Sequence, residues 1–285
     1  MKALLMPNHD KDKLLNCTAA VIGKLAGCGI LSLIDRAYYR YLPDKRVEAG
    51  DFLPLLEQAD VVIAIGGDGT IIHSAKHAAK MDKLVLGINV GRLGFLAALE
   101  PTQLDLLEKL ASGDFRVENR MLIQVNIEKK SGENLRKVAL NEMVLTRGAL
   151  SRMIDTRISC LGRYVTEYRS DGIIFCTPTG STAYSLSAGG PVIAPTMDSI
   201  AVTPICPHSL YGRTIIFPPD NRLAVELLEQ PGEEGAYVTV DGEEAIHVTS
   251  HDRIEIAQAE RGVRLINFGN REFYEVLHEK MMNRI

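Results

Sequence analysis

What the 285-residue chain lacks narrows its function first. Its five cysteines, Cys17, Cys28, Cys160, Cys176 and Cys206, are odd in number and form no CxxC pair. That argues against a disulfide framework or a zinc knuckle and fits a reducing cytoplasm. There is no excess of positive charge: the net charge is −4 and the pI is near 6.0, which disfavours a general nucleic-acid binder. No apolar run is long enough to span a membrane. The opening Met1-Lys2-Ala3-Leu4-Leu5-Met6-Pro7 is too short for a secretory signal and reads as a first strand. No GxxxxGK[ST] motif occurs and no GxGxxG follows a strand, so the common nucleotide-hydrolase and Rossmann-dehydrogenase readings both fail. Repeats and low-complexity linkers are also missing.

What remains is an ordinary globular composition, 46% hydrophobic and 24% charged, arranged in two styles. Up to about Gly113, strand and helix patterns alternate. Strands are predicted at Ala3–Met6, Ile30–Ile34, Val61–Ile65 and Leu84–Ile88. Helices are predicted at Asp12–Ala26 (apolar at Leu14, Leu15, Ala19, Ile22 and Leu25), Phe52–Gln58, Ile71–Lys80 and Thr102–Ala111. Such alternation predicts a parallel sheet flanked by helices. After Gly113 the pattern is all-β: Val117–Glu128, Val138–Thr146, Asp155–Cys160, Gly172–Thr177, Thr214–Phe217, Arg222–Leu228, Ala236–Val240, Ala245–Thr249 and Arg253–Ile256, with turn signals such as Pro218-Pro219-Asp220-Asn221 and Pro231-Gly232 between them. That predicts an antiparallel, two-layered β-sandwich. The end, Arg271–Asn283, has a helical stripe of Phe273, Val276, Leu277 and Met281 that should dock on the first domain. The expected domains are 1–113 completed by 268–285, and 114–267, meeting across a shared cleft.

Two segments carry chemistry. In Asp60-Val61-Val62-Ile63-Ala64-Ile65-Gly66-Gly67-Asp68-Gly69-Thr70 an apolar strand stops at a glycine pair and one carboxylate. Glycines permit a tight turn and close approach of a ligand, and the following helix N-terminus offers free N–H groups to phosphate. Gly66, Gly67, Gly69 and Thr70 are therefore candidate phosphate contacts, with Asp68 beside them as a base. The plainer alternative is a tight turn with Thr70 as N-cap. The second segment runs Thr177-Pro178-Thr179-Gly180-Ser181-Thr182-Ala183-Tyr184-Ser185-Leu186-Ser187-Ala188-Gly189-Gly190-Pro191 after a strand. Small residues admit a flat ligand, hydroxyls bond to ribose and amides, and Tyr184 can stack on a ring. The alternative there is a small-residue helix in close packing.

With Asn141-Glu142 and Ser170-Asp171-Gly172, these two elements resemble the NAD kinase family. Gly87-Ile88-Asn89-Val90-Gly91-Arg92-Leu93-Gly94-Phe95-Leu96 and Cys206-Pro207-His208-Ser209-Leu210 extend the likeness, in the family's order, from about residue 61 to 244. The GGDGT element alone is shared with lipid kinases, whereas the TPTGSTAYSLSAGGP element is far more specific. The resemblance implies an α/β N-terminal domain, a β-sandwich C-terminal domain and a homodimer or homotetramer. It implies transfer of the ATP γ-phosphoryl to the adenosine 2′-hydroxyl of NAD, with Asp68 accepting that hydroxyl's proton. Gly69 and Phe95 would line the NAD site, Asn141 and Glu142 bind the nucleotide, and Asp171 contact the nicotinamide side. Thr182, Ala183, Tyr184 and Ser187 would touch NAD, with Ser185 and Leu186 between them, while Arg152 and Arg169 contribute to the site. Mg²⁺ or another divalent cation would arrive on the ATP phosphates, with no dedicated protein metal site.

Some residues stand apart from this pattern. Glu243 follows the Asp241-Gly242 pair where bacterial relatives often carry glutamine, and either faces the ligand or is a solvated turn carboxylate. Thr146-Arg147-Gly148 also departs from the family. His73 and His77 are four apart on a helix, but without the glutamate of HExxH or a third ligand they do not read as a metal pair. His208 can be structural, Cys176 reads as a small buried packing residue, and Arg92 and Arg163 read as ordinary surface arginines. Rival functions are a GGDGT-type lipid or sugar kinase and a non-catalytic dinucleotide sensor. NAD against NADH, and ATP against polyphosphate, stay open at this level.

Overall fold

The computed structural model describes residues 1–8, 10, 12, 15–91, 94–148, 152–209, 212–229 and 235–282. Expectations that touched Leu14, Arg92, Leu93, Leu210, the Pro231-Gly232 turn and Asn283 lie outside the described residues. The chain divides into two compact units, Met1–Asn119 with Val263–Ile285, and Arg120–Gly262.

In chain order the first unit contains β1 (Lys2–Pro7), α1 (Asn16–Gly27), β2 (Leu31–Asp35), α2 (Arg36–Tyr39), β3 (Val47–Gly50), α3 (Phe52–Gln58), β4 (Val61–Gly66), α4 (Asp68–Lys80) and β5 (Leu84–Asn89). A 3-10 turn at Pro101–Leu106, α5 (Leu107–Ser112) and β6 (Arg116–Arg120) follow. The second unit holds β7 (Ile123–Glu128), β8 (Asn134–Ala139), β9 (Glu142–Arg147), β10 (Ile154–Cys160), β11 (Arg163–Ser170), β12 (Gly172–Cys176), α6 (Tyr184–Ser187), β13 (Ile200–Ile205), β14 (Ile215–Phe217), β15 (Leu223–Leu227), β16 (Ala236–Val240), β17 (Ile246–Val248) and β18 (Arg253–Gln258). The chain then returns to the first unit with β19 (Val263–Asn267) and α7 (Phe273–Met282).

The first unit is one sheet in the order β3-β2-β1-β4-β5-β19-β6, and the pairs from β3 through β19 are parallel. β4 is buried along its whole length, as a strand covered on both faces must be. Order runs from β1 through β2 to β3 in one direction and through β4 to β5 in the other. The β1/β4 junction is thus the topological switch point, where ligands of such sheets bind beyond the strands' carboxyl ends. The second unit is two antiparallel sheets, β11-β10-β15-β18-β7-β8 and β14-β13-β12-β9-β16-β17. Ile123, Val125, Ile158, Val225 and Ile256 of the one pack with Met143, Leu145, Phe175, Val202 and Val238 of the other in a single core. The reverse face of the second sheet is buried too: Val144, Ile174, Cys176, Ala201 and Ile205 cluster with Ile193, which belongs to the segment that follows β12.

Several expectations need correction. Val117–Glu128 is not one strand: β6 joins the first sheet and β7 the sandwich. Because β6 and β19 pair in the parallel sheet, the first unit takes in residues that boundaries at 113/114 and 267/268 had given to the β region. Val138–Thr146 is broken at Leu140-Asn141, for a reason that belongs to the site below. The strands β3, β11, β13 and β19 lack a clean alternation and went unpredicted; β13 is buried throughout because both its faces are covered. The stripe on α7 is only partly used, with Val276 buried and Met281 64% exposed. Helix α1 starts at Asn16 rather than Asp12 because Asp12 works as its cap. The buried Asp12 carboxylate accepts bonds from Cys17 N (3.2 Å), Thr18 N (2.8 Å) and Thr18 Oγ1 (2.8 Å). Losing these leaves buried donors without partners, so Asp12→Ala should cost about 1–3 kcal/mol of unfolding free energy, read from urea midpoints.

Candidate active site

The glycine-rich turn forms where β4 runs out. Gly67 is extended and caps α4, and Asp68 is the first helical residue. The helix thus begins two residues before Thr70, which lies inside the first turn and is not the N-cap. Its hydroxyl accepts a bond from Asn8 Nδ2 at 2.9 Å. Asn8 itself follows β1 and donates its backbone N–H to Ile65 O at 2.8 Å, so the switch point is stitched by one asparagine. A side chain on Gly66 would meet Thr70 Oγ1 at 2.5 Å, which is why the turn needs glycine there.

Asp68 is held by backbone alone. Its Oδ2 accepts from Phe95 N (3.0 Å) and its Oδ1 from Leu96 N (3.3 Å). A carboxylate has about four lone-pair sites, so two N–H bonds orient the group and leave capacity for a substrate hydroxyl. Gly94 lies directly against it: a Cβ there would fall 2.0 Å from Asp68 Oδ1. The half-buried Phe95 ring is covered by the C-terminal helix, with the Phe273 ring centroid at 5.9 Å and Lys280 Nζ 4.3 Å from its own centroid. Nearby, at the end of β5, the Asn89 amide is buried with Oδ1 lacking a partner.

In the second unit the organising group is Asp241, which sequence reasoning left without a role. It sits at φ 50° in the turn after β16. Its carboxylate accepts three successive backbone N–H groups: Leu140 (2.9 Å), Asn141 (2.9 Å) and Glu142 (3.1 Å). These bonds break the expected Val138–Thr146 strand into β8 and β9. Thr177 secures the other side of the same residues, donating Oγ1–H to Leu140 O and its N–H to Asn141 O (2.9 Å). Gly180 then packs on the Asn141 backbone so closely that a Cβ would reach Asn141 O at 2.2 Å.

Glu142 emerges from this frame as a buried carboxyl. Burial and, second, the Asp241 charge push its pKa from 4.5 up to about 7, while a bond from the Tyr184 backbone N–H pulls it down. Its Oε2 has no partner. A buried acceptor facing nothing is costly, and a ligand donor is the natural remedy. Along the adjoining segment Thr182, Ala183 and Leu186 are half-buried, while Tyr184 and Ser187 are exposed. Ser185, expected among the ligand contacts, is enclosed and bonds to Thr203 Oγ1 at 3.0 Å; it anchors α6. The Cys176 thiol is pushed up to about 12 by burial, which removes it as a nucleophile.

The remaining predicted residues are dispersed. Asp171 pairs with Arg147 (Nε to Oδ1, 2.7 Å), a partner that only the fold supplies. Arg169 approaches Asp155 at 3.8 Å and its carbonyl accepts the His208 N–H at 2.7 Å. Arg152, Arg163, His208 and Glu243 are exposed, Glu243 in the turn after Asp241. Gly69 sits in the first turn of α4 with open space at its Cα. Missed were Asn8, Gly94 and Asp241; an Asp-Gly pair after an apolar strand was the available signal for the last.

A parallel α/β unit with a carboxylate on a glycine turn at its switch point, joined in sequence to a β-sandwich presenting a small-residue loop, is the construction of a two-domain nucleotide kinase. Family models agree and specify it: residues 40–115 match the ATP-NAD kinase N-terminal domain and 140–268 the ATP-NAD kinase C-terminal domain. The chain belongs to the NAD kinase family. It is 37% identical over 287 residues to an NAD kinase of Caldanaerobacter subterraneus subsp. tengcongensis, covering 99% of both chains. Its fold is similar to that of the yeast NADH kinase solved with NADH (TM-score 0.86, 23% identity, 94% of this chain and 83% of that one). It is also similar to an NAD kinase from Archaeoglobus fulgidus solved with ATP (TM-score 0.73, 24% identity, 98% of each).

Two predictions follow from this geometry. Gly94→Ala should displace the Asp68 carboxylate and lower kcat at least ten-fold with little change in NAD affinity, measured by steady-state kinetics and calorimetry. For Glu142, an acid whose folded pKa lies above its unfolded one binds more protons when folded. It therefore costs stability progressively as pH rises from about 4.5 to about 7. Glu142→Gln should gain up to about 3 kcal/mol relative to wild type between pH 5 and pH 8 in urea unfolding.

Proposed function

We propose that the chain phosphorylates NAD at the 2′-hydroxyl of its adenosine ribose, taking the γ-phosphoryl group of ATP and releasing NADP and ADP. The observation that carries this reading is Asp68, a carboxylate oriented by two backbone N–H groups at a switch point lined by glycine. A ribose hydroxyl is too weak an acid to be deprotonated in advance by a carboxylate. In a loose phosphoryl-transfer transition state it need not be. Asp68 positions the hydroxyl and accepts its proton as the new P–O bond forms and the bond to ADP breaks. Alignment and charge neutralisation supply most of the rate.

Gly66, Gly67, Gly69 and Thr70 offer the phosphates backbone N–H groups and a hydroxyl at the α4 N-terminus. Phe95 borders the reacting hydroxyl. Asn141 and Glu142 bind the nucleoside, the Glu142 Oε2 accepting from a ligand donor. Thr182, Ala183, Tyr184, Leu186 and Ser187 contact NAD, with Tyr184 stacking on a ring. Asp171 serves the nicotinamide side with Arg147 at its back, and Arg152 and Arg169 supply positive charge. Among the described residues no group of three or more His, Cys, Asp or Glu gathers. A divalent cation such as Mg²⁺ would be held by the ATP phosphates, with one or two carboxylates at most. When bound it neutralises charge on the phosphates.

We place the protein in the cytoplasm as a homodimer or homotetramer. Five free thiols and, among the described residues, no helix long and apolar enough to cross a membrane support the first assignment. Exposed Ile216 on the edge strand β14 supports the second. The test incubates purified protein with NAD, ATP and Mg²⁺ and detects NADP with an NADP-specific dehydrogenase. Wild type should form NADP, and Asp68→Asn should bind NAD normally while losing most turnover. NADP formation by the variant at near-wild-type rate would remove Asp68 from the base role. Tight NAD binding without turnover from any donor would favour the sensor reading.

A further inference from the structure

The first unit contains a cavity of about 230 Å³ whose lining residues have been given no role above. It lies at the carboxyl ends of β1 and β2. Leu5 and Met6 of β1 supply its aliphatic lining, and Asp35, the last residue of β2, lies beside them. The rest is aromatic or heteroaromatic: Tyr38 from α2, Phe52 from α3, and His73 and His77 from α4. The rings are ordered against one another. The Phe52 and His77 centroids stand 5.0 Å apart at 80°, and His73 and His77 stand 4.8 Å apart at 71°.

Resting on the kinase reading, we infer that this cavity seats the purine ring of the phosphoryl donor. Its position is the first reason. The cavity and the glycine turn share α4: His73 is five residues beyond Asp68, which is about 7.5 Å along the axis at the standard helical rise. They also share β1, whose Met6 lines the cavity and whose next-but-one residue, Asn8, bonds to Thr70. A triphosphate lying on the turn would direct its nucleoside along the strand ends toward β2, the crevice where ligands of such sheets bind.

The lining is the second reason. Four ring side chains around an aliphatic patch favour a flat heteroaromatic guest, through stacking and edge contacts. The two imidazoles can each donate and accept hydrogen bonds at ring nitrogens. Asp35 adds a preference among bases. One of its oxygens caps α2 by accepting from Ala37 N at 2.7 Å, and a carboxylate can only accept. It therefore suits the exocyclic amine of adenine and opposes the carbonyl oxygen that guanine carries at the same ring position. The pair of histidines is read as a base platform.

The test measures binding without turnover. With NAD saturating, the affinity for the β,γ-imido analogue of ATP is measured by calorimetry for wild type, Phe52→Ala, His77→Ala and Asp35→Asn. Inorganic tripolyphosphate, which has no base, and the imido analogue of GTP are run in parallel. Phe52→Ala and His77→Ala should each weaken the ATP analogue about ten-fold or more and leave tripolyphosphate and NAD affinities within two-fold. Asp35→Asn keeps the helix cap, since asparagine caps as well as aspartate, and should narrow the preference for adenine over guanine. Unchanged affinity for the ATP analogue in both alanine variants overturns the assignment. So does an equal loss for tripolyphosphate, which would mean the cavity acts only through the phosphate turn. Because no step is chemical, the result stands even if NADP formation is not seen, so the failure of one reading is separable from the failure of the other.

Discussion

A buried strand can end only where its last backbone groups, and those of the chain beside it, find new partners, because an unpaired N–H away from water is expensive. In both units an aspartate supplies them. At the end of β4, Asp68 takes the N–H groups of Phe95 and Leu96. At the start of β9, Asp241 takes those of Leu140, Asn141 and Glu142. Each carboxylate solves a folding problem and in doing so fixes the geometry around it. Asp68 keeps lone pairs that its two backbone bonds leave unused; Asp241 spends its own on positioning Asn141 and Glu142. The same type of interaction thus recurs in both units.

Close approach of backbone is the second recurring device. Gly94 against Asp68 and Gly180 against Asn141 leave no room for a Cβ, and each brings main chain against a residue of the site. These glycines are required by contact, and neither has a positive φ. The small-residue segment after β12 gains a structural role in the same way. It contributes Ile193 to the cluster on the outer face of the second sandwich sheet, and Ser185 is turned inward to Thr203. Covering that face is what leaves Cys176 and Glu142 deeply buried, and burial is the largest cause of the raised pKa at each.

Much of this was legible beforehand, for identifiable reasons. The α/β-then-β order, the strand before Gly66 and the helix after it follow from periodicity and glycine punctuation, which are local properties. The NAD kinase resemblance rested on short motifs, and the family models match the regions that hold most of them, residues 40–115 and 140–268. The misses are non-local. β13 and β19 carry no alternation because neighbours cover both faces or because they join a sheet begun far earlier in the chain. Val117–Glu128 reads as one strand, yet its two halves pair in different sheets. Asp12 reads as the start of a helix, yet it caps one from outside.

By itself the sequence determined the class of each half, the place of the glycine turn, and the identity of the carboxylate at its tip, since strand propensity, turn chemistry and helix initiation are set by neighbours along the chain. Tertiary structure decided what that carboxylate and its counterpart bond to. Asn8 reaches Thr70, Phe95 reaches Asp68, and Asp241 reaches residues 140–142. None of these separations has a sequence signature, because a hydrogen bond between distant segments is selected by how the intervening sheets pack and not by the residues that flank it.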